Sequence, residues 1–348
     1  MFIAIWPIFL QPCFRYHVEP KFMIKKIYIS ILFLAIFFFC NLAMAQNTVR
    51  KPLQTIIIDP GHGGLDPGAR GTFSKESQVS LDVSLKLGKA IEKEFPDIKI
   101  IYTRTTDIVP GDKTSIEAGL FYRADLANES NGDLFIAIHC NSAGRAPGGW
   151  YGKRVSHYTT ATKKVKVKKK WVTKTVKVPV YENYWIENKA TGTETYVWAV
   201  NKNDSKINSV AKKAEDYYGE IDSVSNISLP DPSDPVDKAR MLIYAQNFFR
   251  KSLNLADLVQ QEFAKNGRVD RGVKQRNDKG IWALQATGMP SVLVEIGFIS
   301  NKEEEQYINS EKGQDEIVTN IFNAIKLYKE KLEAKKTVAD KDTEKKPF

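Results

Sequence analysis

Four polar residues stand where their surroundings point to chemistry. His62 follows the apolar run Ile56-Ile57-Ile58 through Asp59-Pro60-Gly61 and is itself followed by Gly63-Gly64. Consecutive β-branched residues suit a buried strand, and the proline and glycines stop it abruptly, so the imidazole is presented to backbone and solvent. His139 ends a second apolar run, Leu134-Phe135-Ile136-Ala137-Ile138, and precedes Cys140-Asn141-Ser142. Glu295 lies inside Val292-Leu293-Val294-Glu295-Ile296, and Glu76 stands just before a helical pattern that begins near Val79. Two neutral imidazoles with one carboxylate form a catalytic zinc shell whose fourth position is open to water, and a second carboxylate can carry protons. That inventory suits a metal-dependent amide hydrolase.

Taken singly, three of the four have ordinary explanations. A histidine after a strand is commonly a hydrogen-bonded rim residue, and a glutamate at a helix start is favoured by the helix dipole. Glu295 is harder to dismiss, because an unpaired carboxylate in an apolar strand costs several kcal/mol and demands a metal, a cation or a proton. Cys140 adjoins His139 and therefore points to the opposite face of an extended strand, where it packs as a small apolar residue. His17 and His157 have no comparable setting.

These residues need a scaffold that brings strand ends together. Strand patterns at 55–59, 98–102, 134–138, 193–200 and 291–296 alternate with helical patterns at 79–95, 115–129, 207–219, 237–265 and 313–333. This predicts one α/β domain over 55–333, a twisted, mostly parallel mixed sheet flanked by helices, with the site at the carboxyl ends of the strands. Between 147 and 191 the pattern changes to period-2 alternation with lysine as the polar partner. It reads as an inserted two-stranded basic ribbon, apolar on one face and cationic on the other. Its lysines either guard an edge or, over 163–178, touch an envelope surface. Residues 229–235 form a proline-aspartate loop.

The chain's ends carry sorting information. Met23-Ile24-Lys25-Lys26, the apolar run 27–42 and Ala43-Met44-Ala45 read as a secretory signal peptide over 23–45. Residues 1–22 read as an upstream extension, with translation starting at Met23, residues 46–54 as a linker and residues 334–348 as a disordered charged tail. Removing 1–45 takes away Arg15, Lys21, Lys25, Lys26 and Glu19, which lowers the net charge from +10 to +7. It also leaves Cys140 as the single cysteine, so no intramolecular disulfide forms. A basic exported chain meets anionic lipid and wall polymer rather than nucleic acid.

Five separated blocks now carry a resemblance. Asp59-Pro60-Gly61-His62-Gly63-Gly64, Lys75-Glu76, Arg123-Ala124-Asp125-Leu126-Ala127-Asn128, the run from Asp133 to Ser142 and the run from Pro290 to Asn301 occur in order. Together they resemble the zinc-dependent N-acetylmuramoyl-L-alanine amidases of bacterial cell walls. The resemblance implies one zinc ion on His62, Glu76 and His139, with Glu295 as the catalytic carboxylate and Asn141 orienting substrate or a ligand. The implied reaction is attack by zinc-activated water on the amide between N-acetylmuramic acid and L-alanine of the peptidoglycan stem peptide, in wall turnover and daughter-cell separation. The export signal predicts a periplasmic or outer-envelope location, and a monomer is expected. Some members are blocked by a helix inserted before the last strand until a divisome-associated activator binds; here that segment falls within 207–265. The basic ribbon exceeds what the family core needs, and Cys140 replaces a more usual small neighbour. A zinc peptidase and a non-enzymatic wall-binding scaffold are the competing readings.

Overall fold

Ile56, Ile57 and Ile58 are all fully buried, as a central parallel strand covered on both faces requires. They belong to β1, Thr55–Pro60. The computed structural model describes residues 51–200, 206–209 and 233–344. The expected extension, signal peptide and most of the linker lie outside the described residues, as do residues 210–232, which include much of the proline-aspartate loop. From Lys51 onward the chain forms a compact unit of its own.

Beside β1 run β2 (Lys99–Tyr102) and β3 (Leu134–Asn141), followed in the chain by the ribbon strands β4 (Gly149–Val167) and β5 (Lys170–Glu187). The remaining strands are β6 (Thr193–Val197), β7 (Asp270–Gln275) and β8 (Ser291–Phe298). The main sheet has the order β2-β1-β3-β8-β6-β7. Its first four strands are mutually parallel, β6 runs antiparallel to β8, and β7 is parallel to β6. The mixed, mostly parallel sheet expected from the sequence is therefore present, and β1, β3 and β8 end on one edge.

Helices cover both faces. They are α1 (Glu76–Glu94), α2 (Ile116–Glu129), α3 (Pro235–Lys265), the single turn α4 (Trp282–Gln285), α5 (Lys302–Asn309) and α6 (Glu311–Glu344). On one face Ile56, Ile58, Ile138, Val292 and Val294 pack with Val83 and Leu87 of α1, Leu255 and Val259 of α3 and Ile321 of α6. On the other, Ile57, Phe135, Ala137 and Leu293 meet Ala127 of α2, Leu284 of α4 and Trp198. Period-2 alternation sends His139 and Glu295 to this second, more thinly covered face. Cys140 points into the first core and is buried, as its position in the strand predicts.

Several boundaries differ from expectation for local reasons. α3 begins at Pro235 because Asp234 caps it, its carboxylate accepting from the N–H groups of Val236 and Asp237, with proline at the first helical position. α6 does not stop at Glu333: it continues to Glu344, where a disordered tail was expected. Residues 334–344 contain neither glycine nor proline, so nothing in the chain breaks the helix. β7 and α5 escaped notice because Asp-Arg-Gly-Val-Lys-Gln lacks an apolar alternation and Lys-Glu-Glu-Glu-Gln-Tyr-Ile-Asn lacks an apolar stripe.

The ribbon forms as expected, but its faces are not segregated. A two-residue turn at Lys168 and Lys169, both at positive φ (48° and 71°), fixes the register Val167↔Lys170, Lys166↔Trp171, Val165↔Val172. Directly opposed residues share a face. Val165, Val167, Val172, Val176 and Val178 therefore lie together with Lys163, Lys170 and Lys174, while Lys164, Lys166 and Lys177 share the other face with Trp171. Lys163 and Lys164 are adjacent in β4 and must point to opposite faces, as must Lys174 and Lys177 in β5, so lysine reaches both sides; the turn sets which residues oppose one another.

Candidate metal centre

β1 delivers the chain to Gly61, whose N–H donates to Ile138 O of β3. His62 itself adopts a left-handed backbone (φ 59°), uncommon for a residue with a side chain. Two buried arginines hold it there. Arg123 of α2 donates to Pro60 O and His62 O and pairs with Asp59, while Arg104 donates to Gly61 O and Ser77 O. Close approach explains the glycines: a Cβ on Gly61 would lie 2.5 Å from His139 Cε1, and one on Gly68 would lie 2.6 Å from His62 Cδ2.

Glu76 opens α1 but does not cap it. Its carboxylate turns inward and is buried. Oε1 lies 2.8 Å from His139 Nδ1 and 3.1 Å from His62 Nε2, and also accepts the N–H of Cys140; Oε2 accepts the N–H of Ala69. The two imidazoles meet edge to face, with ring centroids 4.8 Å apart. One donor atom from each of His62, Glu76 and His139 falls within 4.8 Å of the others, and no other group of three or more such residues occurs among the described residues. Two imidazole nitrogens and one carboxylate oxygen, from three separate elements, are a donor set that fits zinc.

The charges of the three groups are coupled. Burial opposes ionisation of Glu76, yet its bonds to His139 and His62 hold the carboxyl well below the usual range. His62 is depressed by burial but raised more by Glu76 and Asp66, reaching about 9. His139 is pushed down by burial against the pull of Glu76. One carboxylate thus sustains one imidazolium, and the more exposed histidine carries the proton.

Glu295 faces the same cavity of about 390 Å³, which the three donor residues line with Asn141, Arg276 and Trp282. It is 7% exposed, and its Oε2 has no hydrogen-bond partner. Burial raises its pKa to about 8, helped by Glu76 and Glu194 and opposed by Arg276. Register explains the neighbours: His139, Glu295 and Glu194 are directly opposed on β3, β8 and β6.

All four residues singled out by sequence therefore meet at one cavity. Asn141 also lines it, with Nδ2 donating to Glu194 Oε2 at 2.9 Å. His157 lies on the exposed ribbon, away from the cavity. Sequence reasoning missed Asp66, whose Oδ2 lies 2.7 Å from His62 Nδ1 and orients that ring. It also missed Glu194, which gathers Tyr196, Arg271 and Lys274 as well as Asn141. The i,i+4 spacing of His62 and Asp66 within a glycine-rich turn was the one local signal. None of the described residues in 206–265 lines the cavity.

A family model described as N-acetylmuramoyl-L-alanine amidase matches residues 56–327. The chain is 28% identical over 279 residues to N-acetylmuramoyl-L-alanine amidase AmiC of Escherichia coli, covering 78% of this chain and 52% of that protein. It is 36% identical over 89 residues to the sporulation-specific N-acetylmuramoyl-L-alanine amidase of Bacillus subtilis, covering 26% of this chain and 32% of the relative. The chain thus spans about half the length of the AmiC relative. Among solved structures, an N-acetylmuramoyl-L-alanine amidase from Clostridium difficile aligns with a TM-score of 0.47 and 24% identity, covering 80% of this chain and 97% of that one.

Proposed function

Because the chain belongs to the N-acetylmuramoyl-L-alanine amidase family, we propose that it is a peptidoglycan hydrolase that cleaves the amide between N-acetylmuramic acid and L-alanine of the stem peptide. His62, Glu76 and His139 hold one zinc ion, and Glu295 is the catalytic carboxylate. The observation that carries this reading is the three-donor cluster facing a buried carboxylate with an unpartnered oxygen. Zinc, when bound there, supplies Lewis acidity toward a water and toward an amide carbonyl oxygen.

The chain's own residues supply the rest. Glu295 Oε2 accepts a proton as water oxygen bonds to the carbonyl carbon, then delivers it to the leaving nitrogen as the C–N bond breaks. The products are a lactyl carboxylate on the glycan and a free amine on L-alanine. Asp66 fixes the His62 ring, and Asn141, tied to Glu194, stands at the substrate edge of the cavity. Arg276 lines the same cavity and is suited to an anionic group of the stem peptide.

We place this activity outside the cytoplasmic membrane, after export by the leader at 23–45, in wall turnover or cell separation. Regulation by a divisome-associated activator we assign to the segment 207–265, whose described residues line no part of the cavity. The deciding experiment is a peptidoglycan digest with the chain from Gln46 onward, analysed by mass spectrometry. Free N-terminal L-alanine and peptide-free glycan are expected, lost with EDTA and reduced at least about a hundredfold in Glu295→Gln. Cleavage of peptide cross-links instead would show a peptidase, and binding without products would show a scaffold.

A further inference from the structure

We propose that the distal part of the β4–β5 ribbon binds an anionic lipid bilayer, a property beyond hydrolysis and independent of it. Residues 156–181 carry Lys163, Lys164, Lys166, Lys168, Lys169, Lys170, Lys174 and Lys177 and contain no aspartate or glutamate. The ribbon's cross-strand ion pair, Arg154 with Glu182, lies on the base side of this stretch. Beyond it the net charge is eight positive with no internal compensation, so the complement must come from outside.

Charge is joined there by bare apolar surface. Trp171 is 68% exposed, Val172 43% and Val167 41%. β4 and β5 form a sheet of two strands with no third strand beside them among the described residues, and in such a ribbon both faces are open to solvent. Lysines that merely guard an edge need no exposed apolar partners. Such guarding does not account for a tryptophan directly opposite Lys166, or for valines gathered on one face with lysines among them. Tryptophan and aliphatic side chains flanked by lysine are the composition that settles in the interfacial layer of a membrane, with ammonium groups at the headgroups. A hydrated polyanion would reward the lysines alone.

The placement also has a geometric meaning. β4 leaves the body shortly after Asn141 and Ser142, which line the cavity. Its 19 residues, at about 3.3 Å each, extend on the order of 60 Å. A bilayer held at the tip would therefore set how far from the membrane surface the cavity works.

Co-sedimentation of the chain from Gln46 onward with vesicles tests this, since the body from Lys51 is a compact unit. Binding is expected to vesicles of phosphatidylglycerol mixed with phosphatidylcholine, falling with salt, and not to phosphatidylcholine alone. Lys166→Gln, Lys168→Gln, Lys169→Gln and Lys170→Gln combined should weaken partitioning at least about a hundredfold, since roughly fivefold per lysine near the surface compounds over four. Trp171→Ser, which leaves the charge unchanged, should weaken it several-fold. Glu295→Gln should bind as the parent does, so loss of hydrolysis and loss of binding are separable. Equal binding to neutral and anionic vesicles, no binding to either, or equal binding by the lysine variant overturns the proposal. So does parental binding by Trp171→Ser together with full displacement by soluble polyglutamate, which marks a polyanion site.

Discussion

Glu295 has two carboxylates for neighbours, Glu76 across the cavity and Glu194 beside it in register, while Arg276 and, more weakly, His62 act in the opposite sense. Burial leads the three effects that lift its pKa to about 8. In the metal-free chain the folded state then keeps a proton that the unfolded state has lost above about pH 4.5. Stability must fall as pH rises from there to about 8 and level off beyond, because the native state binds more protons across that window. Glu295→Gln cannot ionise and escapes this loss. Calorimetry of EDTA-treated protein should show the variant's Tm rising relative to the parent between pH 5 and pH 9; a constant difference would mean that Glu295 is not titrating there. The same residue was legible in the sequence because a carboxylate amid Val-Leu-Val and Ile has no cheap explanation. His62 and His139 were legible as strand-end residues. Asp66 and Glu194 were not, because their roles exist only through His62 and through Asn141, Arg271 and Lys274.

The loop between His62 and Glu76 is fixed by an element far along the chain. Glu305, fully buried on α5, accepts five hydrogen bonds, from the N–H groups of Thr72, Phe73 and Ser74 and the hydroxyls of Thr72 and Ser74. These bonds outweigh burial and hold its carboxyl below the usual range. The clamped residues lead directly into Glu76, so the clamp sets where a proposed ligand begins its helix. Glu305→Gln replaces one acceptor oxygen by a donor facing donors. Zinc affinity, measured by competition with a chromophoric chelator, should drop about 10- to 100-fold, the range found when outer-shell support of a metal site is lost. A lower Tm with unchanged zinc affinity would reduce Glu305 to a purely structural role. Nothing local announced this. α5 is short and acidic, and its start is set by Asn301, whose Oδ1 accepts from Glu303 and Glu304. Helices with an apolar stripe, such as α1 and α3, were visible in the sequence; one whose importance lies in a single long-range carboxylate was not.

The molecule as a whole is a sheet-centred body carrying an appendage. No residue of 150–186 belongs to the buried apolar cores. The ribbon meets the body at its base, where Gly148 N–H donates to Ser300 O and Asn188 N–H donates to Gly148 O. The insertion was visible in the sequence as a change of period, whereas which residues oppose one another across the ribbon depended on the turn at Lys168 and Lys169. Since Lys153 and Asn183 are directly opposed, replacing residues 154–182 with Asn-Gly closes the shortened ribbon by a favoured two-residue turn. The removed residues contribute cross-strand bonds to each other but almost no burial to the body. Thermal unfolding of the shortened chain should therefore stay within about 4 °C of the parent, a shift worth roughly 1 kcal/mol in a domain of this size. Hydrolysis of soluble muropeptides should persist within about twofold, an allowance that corresponds to roughly 0.4 kcal/mol in the barrier. A much larger fall in Tm would mean that the ribbon is part of the folding unit. A selective loss of hydrolysis at unchanged Tm would mean that it forms a wall of the proposed catalytic cavity.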